Sequence, residues 1–489
     1  MKICIIYHIP KGSVKYDKWC DGFTEAISLL SGTFDTDMIN GFDNPDIDFS
    51  KYTLCLLKED FTSTLYHKYK SKIKCKLGLF ISSSITIPTD EQLRVYDLLF
   101  YETHWYYKYA KLERHKNTMH AFGVNTQLMK PRELQKVYDV IFVGDIRDYK
   151  RPLNILKLPG RKVCLGFKTD KKLVTTLIDN GVEVIDFIQY DQLADFYNRS
   201  KLCYIPCTTH GGGERAVLEA RSCGIPVKIE EDNPKLSELL ESEVYSSYYY
   251  SKQIEKGLWS LIFQAIKDKT YVDILSYFKN YKFSVLEVGG MDGKTFDPLF
   301  HNISSKWSVK VLEPVPFQYR KLQHNYKNRP NVELFNRALN YTNDKTKMYT
   351  IDGNGIANDT ALPEWVNGIS SLYNDRNSIG ENYWNGRGKV HLKKGLSYDT
   401  IKNHIREIEV DCTTIEELGL DSVDILQSDT EGFDYNILKI VLSKFKPYII
   451  MFEWNNLPDD ELSKTKELLS DYLVKFDRQD ALCILKHVN

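Results

Sequence analysis

The chain has 489 residues, 42% hydrophobic and 27% charged, with a formal net charge of −1. That balance excludes a disordered chain and supplies no global field to draw it to nucleic acid or an anionic membrane. The length suggests about three domains at roughly 100–200 residues each, and no run reaches the ~18 apolar residues that a transmembrane segment needs.

These features lead us to expect a cytoplasmic protein, and they leave its oligomeric state unknown. Met1–Tyr7 is apolar but His8 and Pro10 interrupt it at once, which reads as a strand rather than a signal peptide. Ten cysteines are scattered without a C-x-x-C pair. They read as reduced, mostly buried thiols, and Cys203 and Cys207 lack the second pair a zinc site would need.

In chain order, Lys2–Tyr7 reads as a buried strand and Trp19–Leu30 as a helix with Phe23, Ile27 and Leu30 on one face. Tyr52–Leu57, Leu77–Ile81 and Leu98–Tyr101 are further strands. Strands alternating with helices predict an α/β fold with a parallel sheet covered on both faces. The aromatic cluster Tyr96, Phe100, Tyr101, Trp105, Tyr106, Tyr107 and Tyr109 suits either sugar stacking or an aromatic core.

Tyr138–Val143 is a strong buried strand, and Gly144 turns the chain into D-I-R-D-Y-K-R. Arg147 and Lys150 therefore fall just past a strand's C-terminal end, where ligands sit in open α/β sheets. Val163–Gly166, Val182–Ile185 and Leu202–Ile205 continue the strand series. The segment H-G-G-G-E-R-A-V-L-E-A-R-S-C-G-I-P-V, 210–227, then places Gly211, Gly212 and Gly213 before a helix starting near Glu214. A glycine loop at a helix N-terminus is an anion site. Glu219, one and a half turns in, suits ribose hydroxyls or is a solvated helix glutamate.

G-G-G-E-R-A-V-L-E-A-R-S-C-G-I-P-V resembles the nucleotide-sugar motif of family 4-like glycosyltransferases of the GT-B fold. F-V-G-D-I-R-D-Y-K-R-P and H-A-F-G-V-N-T resemble their second-domain opening and interdomain segment. The resemblance implies a nucleotide-sugar donor, with Lys150 at its diphosphate and Glu219 at its ribose. Two positions depart from the pattern: the family's first motif glutamate falls on Gly211, and its basic residue after the strand glycine is Asp145, with Arg147 nearby. Glu214 is the available replacement for the missing glutamate. A tyrosine-rich turn, Tyr245–Tyr250, and a helix over Gln253–Lys267 close this half, and no Gly/Ser-rich linker follows.

Ser284–Gly293, S-V-L-E-V-G-G-M-D-G, opens the second half: a strand ends on Glu287 and turns on Gly289, Gly290 and Gly293. Val309–Glu313 is the next strand, and Glu313 lies 26 residues after Glu287. A second strand-terminal acid is placed to bind both ribose hydroxyls of a cofactor. Val332–Asn336 is a third strand. Asn340–Glu409 reads as a long polar loop of the kind that forms lids or substrate-binding insertions. Within it His391 is either a base or a solvated residue. Val423–Gln427 leads to Asp429 and Glu431, Tyr448–Phe452 leads to Glu453, and Leu473–Phe476 with Leu482–Leu485 reads as an antiparallel pair.

E-V-G-G-M-D-G, V-L-E-P-V-P-F-Q-Y-R-K-L-Q-H-N, D-C-T-T-I-E-E-L and D-I-L-Q-S-D-T-E-G-F-D-Y-N-I-L, in that order, resemble the FkbM-type methyltransferases. The resemblance implies S-adenosylmethionine (SAM) as cofactor, held by Glu287, Gly289, Gly290, Gly293 and Glu313, and methyl transfer to oxygen on a sugar or glycosylated product. Asp429 is the first candidate for the base and His391 the second. By analogy with related sugar O-methyltransferases, Asp429 and Glu453 would hold Mg²⁺; alternatively Asp429 and Glu431 only cap the next helix.

The expected architecture is a GT-B pair of Rossmann-like domains, 1–125 and 126–267. A class I methyltransferase domain, 268–489, follows, with a seven-stranded, mostly parallel sheet containing an antiparallel strand. The expected function is a bifunctional glycan-modifying enzyme acting on a carbohydrate acceptor. The alternative is a carbohydrate O-methyltransferase whose degenerate first half only binds carbohydrate.

Overall fold

The computed structural model describes residues 2–8, 19–43, 46–59, 64–82, 86–351, 366, 369–385 and 397–487. It divides between Leu261 and Ile262 into two compact units.

The first unit holds two parallel sheets. One contains β1 (Lys2–Tyr7), β2 (Asp35–Asn40), β3 (Leu54–Glu59), β4 (Lys76–Ile81), β5 (Leu98–Tyr101) and β6 (Thr118–His120), in the order β2-β1-β3-β4-β5-β6. The other contains β7 (Tyr138–Val143), β8 (Lys162–Leu165), β9 (Glu183–Ile185), β10 (Ser200–Ile205) and β11 (Val227–Ile229), in the order β11-β10-β7-β8-β9. Every pairing in both is parallel. The central strands are apolar runs because parallel sheets bury both faces. The strands absent from the sequence reading, β2, β6 and β11, lie at sheet edges. There β2 keeps the polar sequence D-T-D-M-I-N.

Two helices differ from expectation. The first spans Gly22–Leu30 rather than starting at Trp19, because Asp21 caps it by accepting the Thr24 N–H at 2.9 Å. The last is one twenty-residue helix, Ser247–Ile266, which takes in tyrosines expected in a turn. Tertiary packing overrides local propensity there: Tyr250 is buried against Phe23 and Phe80. In the aromatic cluster, Tyr96, Phe100, Tyr101 and Tyr106 belong to the core.

The second unit contains β12 (Ser284–Val288), β13 (Ser308–Leu312), β14 (Val332–Phe335), β15 (Ala338–Leu339), β16 (Thr346–Ile351), β17 (Ser370–Ser371), β18 (Ile405–Val410), β19 (Cys412–Thr413), β20 (Ile425–Ser428), β21 (Ile449–Glu453), β22 (Tyr472–Phe476) and β23 (Asp480–Leu485). Its main sheet runs β14-β13-β12-β20-β21-β23-β22. Strand β23 is antiparallel to both neighbours and every other pairing is parallel. The order reverses between β12 and β20, which puts a ligand crevice at their C-terminal ends.

The 340–409 stretch, expected as a polar loop, contains the antiparallel sheet β17-β16-β18. Its exposed face is built from charges. Lys347 pairs with Glu407 at 2.8 Å and Lys345 with Glu409 at 3.0 Å, while Met348 and Ile351 face inward. Those charges are what made the stretch read as a loop. His391 lies outside the described residues.

Candidate active sites

In the first unit a cavity of about 150 Å³ is lined by residues of both sheets' loops. Among them are Gly144, Lys150, Gly213 and Glu219. Gly213 (φ +103) is the N-cap of the helix Glu214–Ser222, which directs its first amides at the cavity end. Lys150 follows β7 in a short turn (Asp148–Lys150) and closes the same end.

Glu219 is 1% exposed. Its Oε2 accepts the Tyr197 hydroxyl at 3.0 Å, the Tyr190 hydroxyl also meets this carboxyl, and Oε1 lies 3.5 Å from the Arg215 Nε. Burial pushes its carboxyl up to about 7, against the pull of Arg215.

The remaining residues expected at the nucleotide sugar lie otherwise. Arg147 is half exposed, 3.6 Å from Asp145, and donates to the Tyr149 hydroxyl. Glu214 is buried in an ion pair with Lys235 at 2.6 Å and accepts the Tyr106 hydroxyl at 3.0 Å. Burial alone would raise its pKa, but Lys235 outweighs it and holds the carboxyl below the ordinary glutamate range. Gly211 and Gly212 shape the loop without lining the cavity, and a Cβ on Gly211 would crowd the Tyr149 carbonyl oxygen at 2.8 Å. Lys150, Gly213 and Glu219 are therefore the expected residues that this cavity brings together.

The second unit has a larger cavity of about 460 Å³ at the C-terminal ends of β12, β13, β20 and β21. It is within the range typical of small-molecule sites. Glu287, Gly289, Gly290, Glu313, Asp429 and Glu453 all line it; Gly293 does not. Gly289 adopts φ +88, and a Cβ there would overlap the Asp429 carbonyl oxygen. A Cβ on Gly293 (φ +69) would strike Tyr326 and Leu322, so this glycine lets the turn pack on its neighbouring helix.

Glu287 is 2% exposed. Its Oε1 accepts from the Gln427 side chain at 3.2 Å, and its carboxyl also meets the Asp297 carboxyl. Burial, then Asp297, push its carboxyl well above the ordinary range. Gln427 also donates to Asp297 at 2.9 Å, so one amide orients both acids. Glu313 accepts backbone N–H groups from Val315 at 2.7 Å and Met291 at 2.8 Å, one on each oxygen. Each oxygen keeps a lone pair for a further donor. Burial outweighs those two amides and raises this carboxyl to about 8.

In the same cavity, Asp429, Glu431 and Glu453 each offer an oxygen, all within 4.8 Å of one another. Asp429 opens to the cavity and is pushed up to about 7 by the surrounding protein mass, then by Asp434 and Asp480. Burial, then Asp429, drive Glu431 well above the ordinary range, and burial, then Glu431, do the same to Glu453. The Asn456 side chain donates to both, at 3.0 Å and 2.5 Å. Glu431 holds φ +52, a left-handed conformation that a glutamate adopts at some strain.

Helix capping does not explain these acids. Asp434 takes the loop's donors instead: the Ser428 hydroxyl at 2.6 Å and the Thr430 N–H at 3.3 Å. The insertion braces the loop from outside. Ser371 donates to the Glu431 carbonyl at 2.8 Å, and Arg376 donates to the Gly432 carbonyl while pairing bidentately with Glu461. Met348, Ile369 and Leu372 of the insertion form part of the cavity wall.

Residues 287–479 match the family model described as Methyltransferase FkbM domain. The second unit carries an FkbM methyltransferase domain. Among curated proteins none matches the chain. Solved structures similar to it include the sucrose-phosphate synthase of Thermosynechococcus elongatus (14% identity, 53% of this chain, 89% of that one, TM-score 0.37). AviGT4, a glycosyltransferase involved in avilamycin A biosynthesis, is similar at 12% identity (53% of this chain, 87% of that one, TM-score 0.36). Anabaena Alr3699/HepE in complex with UDP is similar at 12% identity (55% and 90%, TM-score 0.35). The first unit holds two Rossmann-like parallel sheets. Among the described residues, no helix is long and apolar enough to cross a membrane.

Sequence reasoning missed Gln427, Asp297 and the metal-ligating potential of Glu431. The signal for Gln427 was register: β20 runs beside β12, and Gln427 is paired with Glu287. Glu431 stands two residues beyond Asp429 in the same turn, which spacing alone does not show to be convergent.

Proposed function

We propose that the chain is a bifunctional glycan-modifying enzyme: its first unit transfers a sugar from a nucleotide donor, and its second O-methylates a sugar hydroxyl using SAM. The observation that carries the methyl-transfer reading is one cavity holding a glycine turn, the buried Glu287 and three converging carboxylates.

The residues fit SAM. Glu287 would hold the ammonium, whose positive charge offsets the burial and the Asp297 repulsion that raise this carboxyl. Glu313 would take the ribose hydroxyls, and Gly289 and Gly290 leave room for the methionine portion. SAM supplies an electrophilic methyl group. The attacking hydroxyl must lose its proton, and Asp429, with a carboxyl near neutrality, is matched to that task at pH 7. The same three acids also fit Mg²⁺, since they are hard oxygen donors whose mutual repulsion a cation relieves. A carboxylate bound to a cation is not a free base, so the two roles exclude one another at a given moment. Chelation assigns them: loss of methylation on chelation with recovery on Mg²⁺ assigns the acids to the metal, and indifference assigns Asp429 to the proton.

In the first unit, Lys150 and the amides at the start of the helix Glu214–Ser222 would stabilise the charge developing on a departing nucleoside diphosphate. Glu219 would accept the ribose hydroxyls. A second reading, in which this unit only binds carbohydrate, is favoured by Gly211 in place of the family glutamate and by Glu214 being engaged by Lys235.

The deciding experiment measures thermal stabilisation of the full chain by SAM and by a panel of nucleotide sugars. We expect SAM to stabilise it, and Glu313→Ala to lower that affinity. An unchanged affinity sinks the cofactor placement. If no nucleotide sugar stabilises the chain and Glu219→Ala changes nothing, the transferase reading fails and the carbohydrate-binding one stands.

A further inference from the structure

The smaller cavity contains polar atoms that the donor-site reading does not use. Trp19 is 6% exposed and Tyr190 is 1% exposed, and both line the cavity beside Glu219. The Trp19 indole N–H has no hydrogen-bond partner among the described residues, while the Tyr190 hydroxyl and the Glu219 carboxyl meet each other. A buried N–H without a partner is unfavourable, so this donor beside the Tyr190–Glu219 pair marks a place built for a polar ligand.

The three atoms come from different parts of the unit. Trp19 follows β1 in the first sheet's lobe, whereas Tyr190 and Glu219 belong to the second. The Trp19 ring sits 5.4 Å from both Phe187 and Tyr190, and Phe187 stacks on Phe167 at 4.4 Å. A cross-lobe ion pair fixes this arrangement. Asp21, two residues after Trp19, binds Arg215 at 2.5 Å, and Arg215 approaches Glu219 on its other side.

The cavity thus has two chemically distinct ends. Lys150 and the Gly213 turn suit anionic oxygens. The other end offers aromatic walls, one fixed N–H donor, one hydroxyl and one carboxylate acceptor, which together suit a sugar diol joined to a flat heteroaromatic base.

We propose that Trp19 and Tyr190 complete the nucleoside pocket of the first unit, so that the donor is gripped by both lobes. This rests on the donor-site reading of Lys150 and Glu219 and adds to it the contact from the first lobe. At about 150 Å³ the space is smaller than that of a typical ligand site, so a whole nucleotide sugar enters with the lobes parted and Trp19 closes on it afterwards.

The test uses the full chain and calorimetric titration with UDP, GDP, ADP and inorganic pyrophosphate. At least one nucleoside diphosphate is expected to bind. Trp19→Phe and Tyr190→Phe, each losing one hydrogen-bonding group and keeping the ring, should weaken it about three- to tenfold. Neither should change pyrophosphate affinity, whereas Lys150→Met should weaken both ligands. If Glu219→Gln weakens the nucleoside diphosphate while the two ring variants leave it unchanged, this inference is overturned and the donor-site reading survives. Equal weakening of pyrophosphate by Trp19→Phe also overturns it. If no nucleoside diphosphate binds the unaltered chain, both fall. Should Trp19→Phe lose its thermal transition, Tyr190→Phe decides alone.

Discussion

The two cavities handle buried acids in opposite ways. In the first unit each buried carboxylate near the cavity meets a cation: Glu214 meets Lys235, and Asp21 and Glu219 share Arg215. In the second unit seven carboxylates line the cavity, and Arg337 is the one basic side chain among its described lining residues. Lys235 draws Glu214 down, although burial still holds Glu219 up at about 7 against Arg215. In the second unit burial and Asp429 drive Glu431 up, and burial and Glu431 drive Glu453 up. A site already balanced by its own cations, with Lys150 in hand, is prepared for an anionic ligand. A site of unbalanced acids is prepared for positive charge, which a sulfonium cofactor, its ammonium or a divalent ion brings.

The sharpest way to break this contrast is to remove the acid open to the larger cavity. Asp429→Asn should lower the methyl-transfer rate by roughly 100- to 10,000-fold, read from steady-state kinetics with SAM binding measured alongside. A rate within tenfold of the original would mean that Asp429 neither takes the proton nor holds a required cation. A smaller effect is expected in the first unit. Glu219→Gln removes the negative charge but keeps the shape, and nucleoside diphosphate affinity should fall about 10- to 100-fold. No change on titration would show that this acid does not meet the ribose.

The smallest effect concerns pH. The Glu219 carboxyl is raised in the folded chain from its ordinary 4.5 to about 7. Between those values the folded state binds the proton more tightly than the unfolded one. Its contribution is therefore complete below about pH 4.5 and is lost as pH rises through about 7, at roughly 1.4 kcal/mol per unit at most. Thermal melts of the ligand-free chain from pH 4.5 to 7.5 should fall less steeply in Glu219→Gln than in the original. Parallel curves would contradict a buried, protonated Glu219.

Much of this was legible in the sequence, for definable reasons. Central parallel strands are unbroken apolar runs, so β1, β5 and β7 were found with their bounds. The acids Glu287, Glu313, Asp429 and Glu453 were legible because they lie at, or directly after, the last residues of strands whose C-terminal edge is where ligands sit. Edge strands such as β2 lack the apolar signal, and β16 and β18 hid behind cross-strand ion pairs. Trp19, Tyr190 and Gln427 were unreadable for another reason. Their roles depend on partners brought close only by folding: Trp19 meets Phe187 and Tyr190 across two lobes. Glu214 shows the converse, since its position beside the glycine loop suggested a ligand contact that Lys235 and Tyr106 take up instead.

The contact between Gly289 and the Asp429 carbonyl has a consequence for mutational inheritance in the second unit. The turn expected to seat the cofactor and the loop expected to act on the acceptor touch through bare backbone, with no side chain between them to absorb a change. Substitutions on the two loops are therefore not independent. Any side chain at position 289 displaces residue 429 as well, and a variant that repairs one loop must be compatible with the other. The insertion side of the cavity offers no free alternative, because Met348 and Ile369 in its wall are themselves packed into hydrophobic clusters.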